Sequence, residues 1–253
     1  MRLAAASRRD ALAALFAWRA ELRALLEQVS DLGVARIKLD WWRSELERIL
    51  AGEPRHPLSD VLAPAVVAHQ LPGQPFVALI ASVESALQNP HHPDLASQRR
   101  TDEQDLGALF ELLTRCEGAI DERQFAQARS AGGWCAQVRR IRDAGLLLRQ
   151  GREILPSDQL ATAGLSQEAL IGANGRNQLP ELLRAFAEQL HLQPPAQEFA
   201  SRIPPGLTPA VRIQLRLHQD LLAVLARSGF DVADQRIGLT PLRKLWLAWR
   251  TSR

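Results

Sequence analysis

"RIRDAGLLLRQGREILPSDQLATAGLS", residues 140–166, is the stretch on which the reading turns. It closes a long helical segment, about Asp121 to Gln150, and Gly151 is a good C-terminal stop. The segment ends with one carboxylate, Asp143, and Leu147 stands one turn later. Two acids at i and i+4 share a helical face and can grip the same metal cluster. Here the second acid is missing. The question is whether a single acid at this position serves a site at all.

The chain outside this stretch also reads as helix. Hydrophobic residues make up 46% of its 253 positions, Leu and Ala dominate them, and Tyr is absent. β-Branched residues are sparse in the long apolar stretches, which favours helix over sheet. Asp10 predicts a helix to about Val29, and Ser30 or Asp31 caps the next, to about Leu50, ended by Gly52 and Pro54. Pro57–His69 follows with Pro64 inside it, then Pro75–Gln88 with Phe76, Leu79, Ile80, Val83 and Leu87 on one face. Residues 89–100 read as a polar connection. Thr101 and Gln104 form a capping-box pattern for a helix to about Gly118. Ser157 and Ser166 cap short helices separated by Gly164. Residues 171–178 read as a loop, 179–192 as an amphipathic helix and 194–206 as irregular. Thr208–Pro209 opens a helix closed by Gly229, and Thr240–Pro241 opens the last. No strand alternation, repeat or long linker appears. The expectation is one all-α domain over residues 1–253, of roughly ten helices.

Composition excludes several classes. Lys and Arg number 31 against 28 acids, a net charge of +3 without a basic block, which argues against nucleic acid as a partner. Arg8, Arg9 and Asp10 interrupt the N-terminal run where a signal peptide needs apolar residues. No apolar run approaches the ~18–20 residues of a membrane span. The expectation is a cytoplasmic chain, at most peripheral to the inner face of a membrane. Cys116 and Cys135 have no C-x-x-C spacing and read as small buried residues. The six His are scattered, and His91, His92 and Asp94 read as a polar loop rather than a metal site. The nucleotide-binding, P-loop, zinc-protease and nucleophile-elbow motifs are absent.

Three phrases carry a resemblance. "ARIKLDWWRSELERILAGEPRHPLSDVL", 35–62, "RIRDAGLLLRQGREILPSDQLATAGLS", 140–166, and "RSGFDVADQRIGLTPLRKLWLAWR", 227–250, stand in the order found in the squalene/phytoene synthase family. The chain resembles that family over nearly its whole length. In the second phrase the matches are Arg142–Asp143, Gly151–Arg152, Leu155–Pro156, Asp158 and Gly164–Ser166. The resemblance implies the isoprenoid-synthase fold, a helical bundle around a central apolar cavity. It also implies head-to-head condensation of two prenyl diphosphates. There Mg²⁺ neutralises the departing diphosphate and an apolar wall keeps water from the carbocation.

The residues needed for that chemistry are incomplete. On the second helix Asp143 matches the first acid, Leu147 replaces the second, and Arg139 replaces the usual Asn. On the first, Arg23 falls where the first acid belongs and Glu27 where the second does. Glu27 and Asp143 are therefore the metal candidates. Arg139, Arg142, Arg149 and Arg152 are the diphosphate candidates, since a guanidinium fork binds phosphate without metal. The competing reading makes Arg23–Glu27 and Arg139–Asp143 ordinary i,i+4 salt bridges. The family also holds a non-catalytic member that serves as a respiratory complex I assembly factor, and the degeneration here is similar. The reading that follows is a divergent family member with a degraded metal site, binding a prenyl or other apolar ligand or a protein partner. It needs no cofactor. The alternatives are an active Mg²⁺-dependent prenyltransferase and a helical scaffold without ligand.

Three further features carry paired readings. Trp41 and Trp42 shape a cavity or fill the core, and the stripe shared with Leu39, Leu46 and Ile49 favours core for Trp42. Gly132 and Gly133, within a helix, mark a cavity edge or a close helix contact. At the C-terminus Leu242, Leu245, Trp246 and Trp249 share one helical face beside Arg243, Lys244, Arg250 and Arg253. That face either packs on the bundle or lies at a lipid interface, and packing is the expectation.

Overall fold

Ala- and Leu-rich sequence makes Ala6–Gln28 a helix, α1, which begins a turn before Asp10. Ser30 lies outside the described residues, and Asp31 caps α2 (Leu32–Ala51) by accepting the Val34 N–H at 2.9 Å. Gly52 ends α2 with φ of 79°, a left-handed conformation that suits glycine. The structure, a computed structural model, describes residues 6–28, 31–88, 91–192 and 196–252. Among them stand fourteen α-helices, one π-helical segment and no strand. The all-α expectation is met.

The described residues divide into two compact units. The first comprises Met1–Gln88, Glu103–Gly132 and Gly206–Val211. It contains α1, α2, α3 (Pro57–Ala68) and α4 (Gly73–Gln88). Within it α1 packs on α3 and α4, and α2 packs on the same pair. Its core is aromatic at the centre. Trp18 meets Trp42 edge-on at 4.8 Å and Phe76 at 5.8 Å, and all three are buried. Trp42 is thus core, while Trp41 lies half in solvent against Trp42 and His56. Glu45, also buried, accepts the backbone N–H groups of Arg55 and His56 at 2.8 and 2.9 Å and the Arg48 guanidinium at 2.9 Å. It thereby fixes the turn that leads into α3.

The second unit comprises Asn89–Asp102, Gly133–Pro205 and Arg212–Arg253. Here the sequence expectations need correction. The segment 89–100 is not all connection: α5 runs Leu95–Asp102. Asp94 opens it, accepting the Ser97 N–H at 2.7 Å, so Thr101 lies inside the helix instead of capping one. A π-helical segment, Glu103–Gly107, belongs to the first unit and leads into α6 (Ala108–Cys116), which packs on α1 and α4. The long helix predicted over 121–150 is interrupted. α7 spans Glu122–Arg142 and α8 spans Ala144–Arg149, with Asp143 between them at φ −95° and ψ 7°. Short α9 (Ser157–Thr162) and α10 (Gln167–Ile171) follow, the latter capped by Ser166 as expected.

Two predicted irregular stretches hold helix because of tertiary contacts. α11 starts at Ala173, inside the expected 171–178 loop, and runs to Leu192. Gly175 makes this possible, since a Cβ there would lie 2.2 Å from the Ala169 carbonyl oxygen of α10. α12, Ala196–Ser201, sits in the Pro-rich stretch, anchored by buried Phe199 and by the Gln219 amide, which donates to the Phe199 carbonyl at 2.7 Å. α13 (Pro209–Arg227) and α14 (Pro241–Thr251) match their Thr-Pro openings.

Gly132 marks a close helix contact within the first unit. A Cβ there would lie 2.5 Å from both the Gly107 Cα and the Leu106 carbonyl oxygen. A Cβ on Gly107 would in turn lie 2.7 Å from the Arg129 carbonyl oxygen. The glycines thus let α7 press against the π-helical segment. Gly133 belongs to the second unit and is buried.

Candidate functional site

Within the second unit, Asp143 sits at the junction of α7 and α8. Its backbone N–H donates to the Arg139 carbonyl and its carbonyl accepts from Leu147, both at 2.9 Å, so helical hydrogen bonding continues through the break. Its carboxylate is taken by cations. Arg142 Nε donates to Oδ1 at 2.8 Å and Arg236 Nε to the same oxygen at 2.9 Å. Burial works to raise the Asp143 pKa. The guanidinium groups of Arg142 and Arg236 outweigh it and hold the carboxyl below its ordinary value. The expected Arg139–Asp143 bridge is replaced by these two. Leu147 lies half-buried one turn along, where no charge can reach a shared ligand.

Gly145 explains how Arg236 arrives. A Cβ there would lie 2.2 Å from the carbonyl oxygens of both Val232 and Ala233. Only glycine lets the 231–236 loop lie so close on α8. The same approach gives exposed Arg149 its partner, the Ala233 carbonyl at 2.7 Å. A cleft of about 30 Å³ remains there, lined by Gly145, Leu148, Arg149, Leu170, Arg176 and Ala233. Arg139 and Arg152 are half-buried, and the Arg152 carbonyl accepts the Gln167 amide at 2.8 Å. Of the sequence candidates in this unit, the structure brings Arg142 onto Asp143 and commits Arg149 to backbone.

Two features here escaped the sequence reading. Arg140 donates to buried Asp102 at 2.7 Å and to the Glu153 carbonyl at 3.3 Å. The Glu153 carboxylate binds the His92 ring at 2.7 Å, and the other ring nitrogen meets Thr101 at 2.9 Å. His92 is thus part of a buried structural network joining α5 to the segment after α8. Further back on α7, Trp134 Nε1 and both amide atoms of Gln137 have no hydrogen-bond partner, although both side chains are buried. An unmet buried amide costs roughly 1–3 kcal/mol and calls for an explanation.

Within the first unit, Glu27 is exposed near the end of α1. Arg23, one turn earlier, reaches Asp105 at 3.4 Å, so the expected Arg23–Glu27 bridge gives way to a long-range one. Arg19 holds Asp105 through two nitrogens, at 2.7 and 2.6 Å. Asp105 comes from the π-helical segment that Gly107 and Gly132 seat against α7. Nothing local in "DEQDLG" announces the π geometry. A signal did exist in the i,i+4 recurrence of Arg19 and Arg23, two cations on one face in need of an anion. Among the described residues no three His, Cys, Asp or Glu side chains cluster closely enough to hold a metal ion.

The family model for squalene/phytoene synthase matches residues 1–243. The chain belongs to the squalene/phytoene synthase family. It is 25% identical over 243 residues to rat "NADH dehydrogenase (ubiquinone) complex I, assembly factor 6", covering 94% of this chain and 73% of that protein. It is 29% identical over 175 residues to Arabidopsis thaliana "Phytoene synthase 1, chloroplastic", covering 64% of this chain and 40% of that one. The crystal structure of a dehydrosqualene synthase in complex with ligand superposes with a TM-score of 0.79 at 15% identity, covering 95% of this chain and 84% of the other. That likeness gives the fold, which is the isoprenoid-synthase-like bundle that the three phrases imply. Against the family pattern, this squalene/phytoene synthase relative is divergent at both Asp-rich helices.

Proposed function

We propose that this chain is a non-catalytic squalene/phytoene synthase relative that acts in assembly, binding a protein partner or an apolar, prenyl-type ligand over residues 1–253 as one domain. The observation that carries the reading is the state of Asp143. A Mg²⁺ ion at such a helix needs carboxylate oxygens free to coordinate and gives up its waters reluctantly. Asp143 spends its oxygens on Arg142 and Arg236, and Leu147 supplies none. Arg23 adds a positive charge one turn before Glu27. The residues present do not fit a Mg²⁺ cluster. The complex I assembly factors among the relatives support the assembly-type role.

The test is turnover. The purified chain is incubated with farnesyl or geranylgeranyl diphosphate and Mg²⁺, and pyrophosphate release and condensed product are followed. The expected result is neither, together with no stoichiometric Mg²⁺ binding by calorimetry with or without pyrophosphate. Two or three bound Mg²⁺ ions with condensed product would establish the active prenyltransferase instead. Extraction of apolar material from the native protein, and its absence after unfolding and refolding, would separate ligand binding from a plain scaffold.

A further inference from the structure

α14 turns its apolar stripe away from the residues that hold it. Leu247 is the buried side chain of this helix. At ~100° per residue, Leu242, Leu245, Trp246 and Trp249 form a stripe about 100° wide, centred roughly opposite Leu247. They are 80%, 58%, 50% and 44% exposed. The expectation that this face packs inward is therefore corrected: the helix is held by its other side. Single exposed apolar residues are ordinary, but four large ones together are not. Together they present roughly 450 Å² to solvent, the size of the largest apolar patch on an ordinary monomer, which is often functional.

The charge around the stripe has one sign. Pro241–Thr251 contains Arg243, Lys244 and Arg250 and no acid. Arg250 lies over the Trp246 ring, 5.3 Å from its centroid, which puts a cation at the edge of the stripe. Asp220 of α13 is held by Arg243 at 2.7 Å and approached by Arg216 at 3.6 Å, so its charge is matched by cations. Lys244 and Arg250 are exposed. Arg253 lies outside the described residues.

We propose that α14 is an interfacial helix that docks this protein on an anionic lipid surface. Trp rings favour the headgroup level, Leu side chains enter the acyl boundary, and Lys and Arg attract anionic lipid. The helix would lie on the membrane, since none among the described residues is long and apolar enough to cross one. A second copy fits less well. A two-fold pairing of this face would bring Arg250 toward its own copy, and the patch is smaller than the ~800 Å² per partner of a standard interface. No residue around Asp143 or Asp105 takes part in this docking.

The experiment is co-sedimentation of the full chain with vesicles of phosphatidylcholine alone or with a third phosphatidylglycerol. Binding to the anionic vesicles in low salt, release in high salt and weak binding to phosphatidylcholine alone are expected. Trp246→Ser/Trp249→Ser lowers the partition coefficient more than tenfold with an unchanged melting temperature. Lys244→Glu/Arg250→Glu does the same, because each lost cation costs about fivefold. If the Trp variant melts early, the charge variant decides. The proposal is overturned by failure of the wild-type chain to sediment with anionic vesicles in low salt. It is equally overturned by binding that survives both variants, or by a Trp246-dependent dimer without vesicle binding.

Discussion

Replacing Glu45 with Gln probes how α2 is fastened to the start of α3. The carboxylate is buried and accepts two backbone N–H groups and the Arg48 guanidinium. Burial alone would raise its pKa, but the Arg55 N–H, Arg48 and the His56 N–H outweigh that and bring it from 4.5 to about 2. A lowered pKa in the folded state stabilises above the unfolded value, and the stabilisation is lost as pH falls from about 4.5 toward 2. The full shift corresponds to about 3 kcal/mol at ~1.4 kcal/mol per pH unit. The cover over Glu45 is thin, with Arg48 partly exposed and Arg55 exposed, so screening trims this to about 2 kcal/mol. Gln keeps the shape but turns an NH₂ toward donors. Urea unfolding followed by circular dichroism should show Glu45→Gln about 2 kcal/mol less stable at pH 7. The gap to wild type should narrow by about 1 kcal/mol at pH 3.5, as wild type begins to lose the contribution. A gap that is absent at pH 7, or the same at both pH values, would refute the reasoning.

Gly145→Ala drives a methyl into the carbonyls of Val232 and Ala233, and a loss of about 3 kcal/mol or more is expected in the same assay, beyond ordinary overpacking, because backbone must move. Arg236→Ala leaves Asp143 with Arg142 alone. Its carboxyl pKa should move up toward the usual carboxylate range, read by carbon-detected NMR of labelled Asp, and an unchanged titration would remove Arg236 from the account. Burial pushes the Cys116 thiol up to about 12 and also holds the Cys135 thiol well above its ordinary value. Neither should react with Ellman's reagent at pH 8 in the native protein, and both should react in denaturant.

Local chemistry in the sequence was enough to place many helix ends. Asp31, Ser166 and Thr240 cap helices because a short polar side chain satisfies the first free N–H groups wherever it precedes an apolar-periodic run. Gly52, Gly151, Gly164 and Gly229 all adopt positive φ where helices stop. The family resemblance was also legible, since it depends on residue identity at fixed spacing. Tertiary structure decided the rest. Asp105 neutralises Arg19 and Arg23 from 86 and 82 residues away, through a π-helical segment seated by Gly107 and Gly132. Arg236 reaches Asp143 across 93 residues because Gly145 lacks a Cβ. α11 and α12 extend into stretches that read as loop because Gly175 and Phe199 give them something to pack on. At the C-terminus, periodicity determined that Leu242, Leu245, Trp246 and Trp249 share a face, and the fold alone decided that this face looks outward. An amphipathic pattern specifies a stripe, but which surface covers it depends on residues far away in the chain.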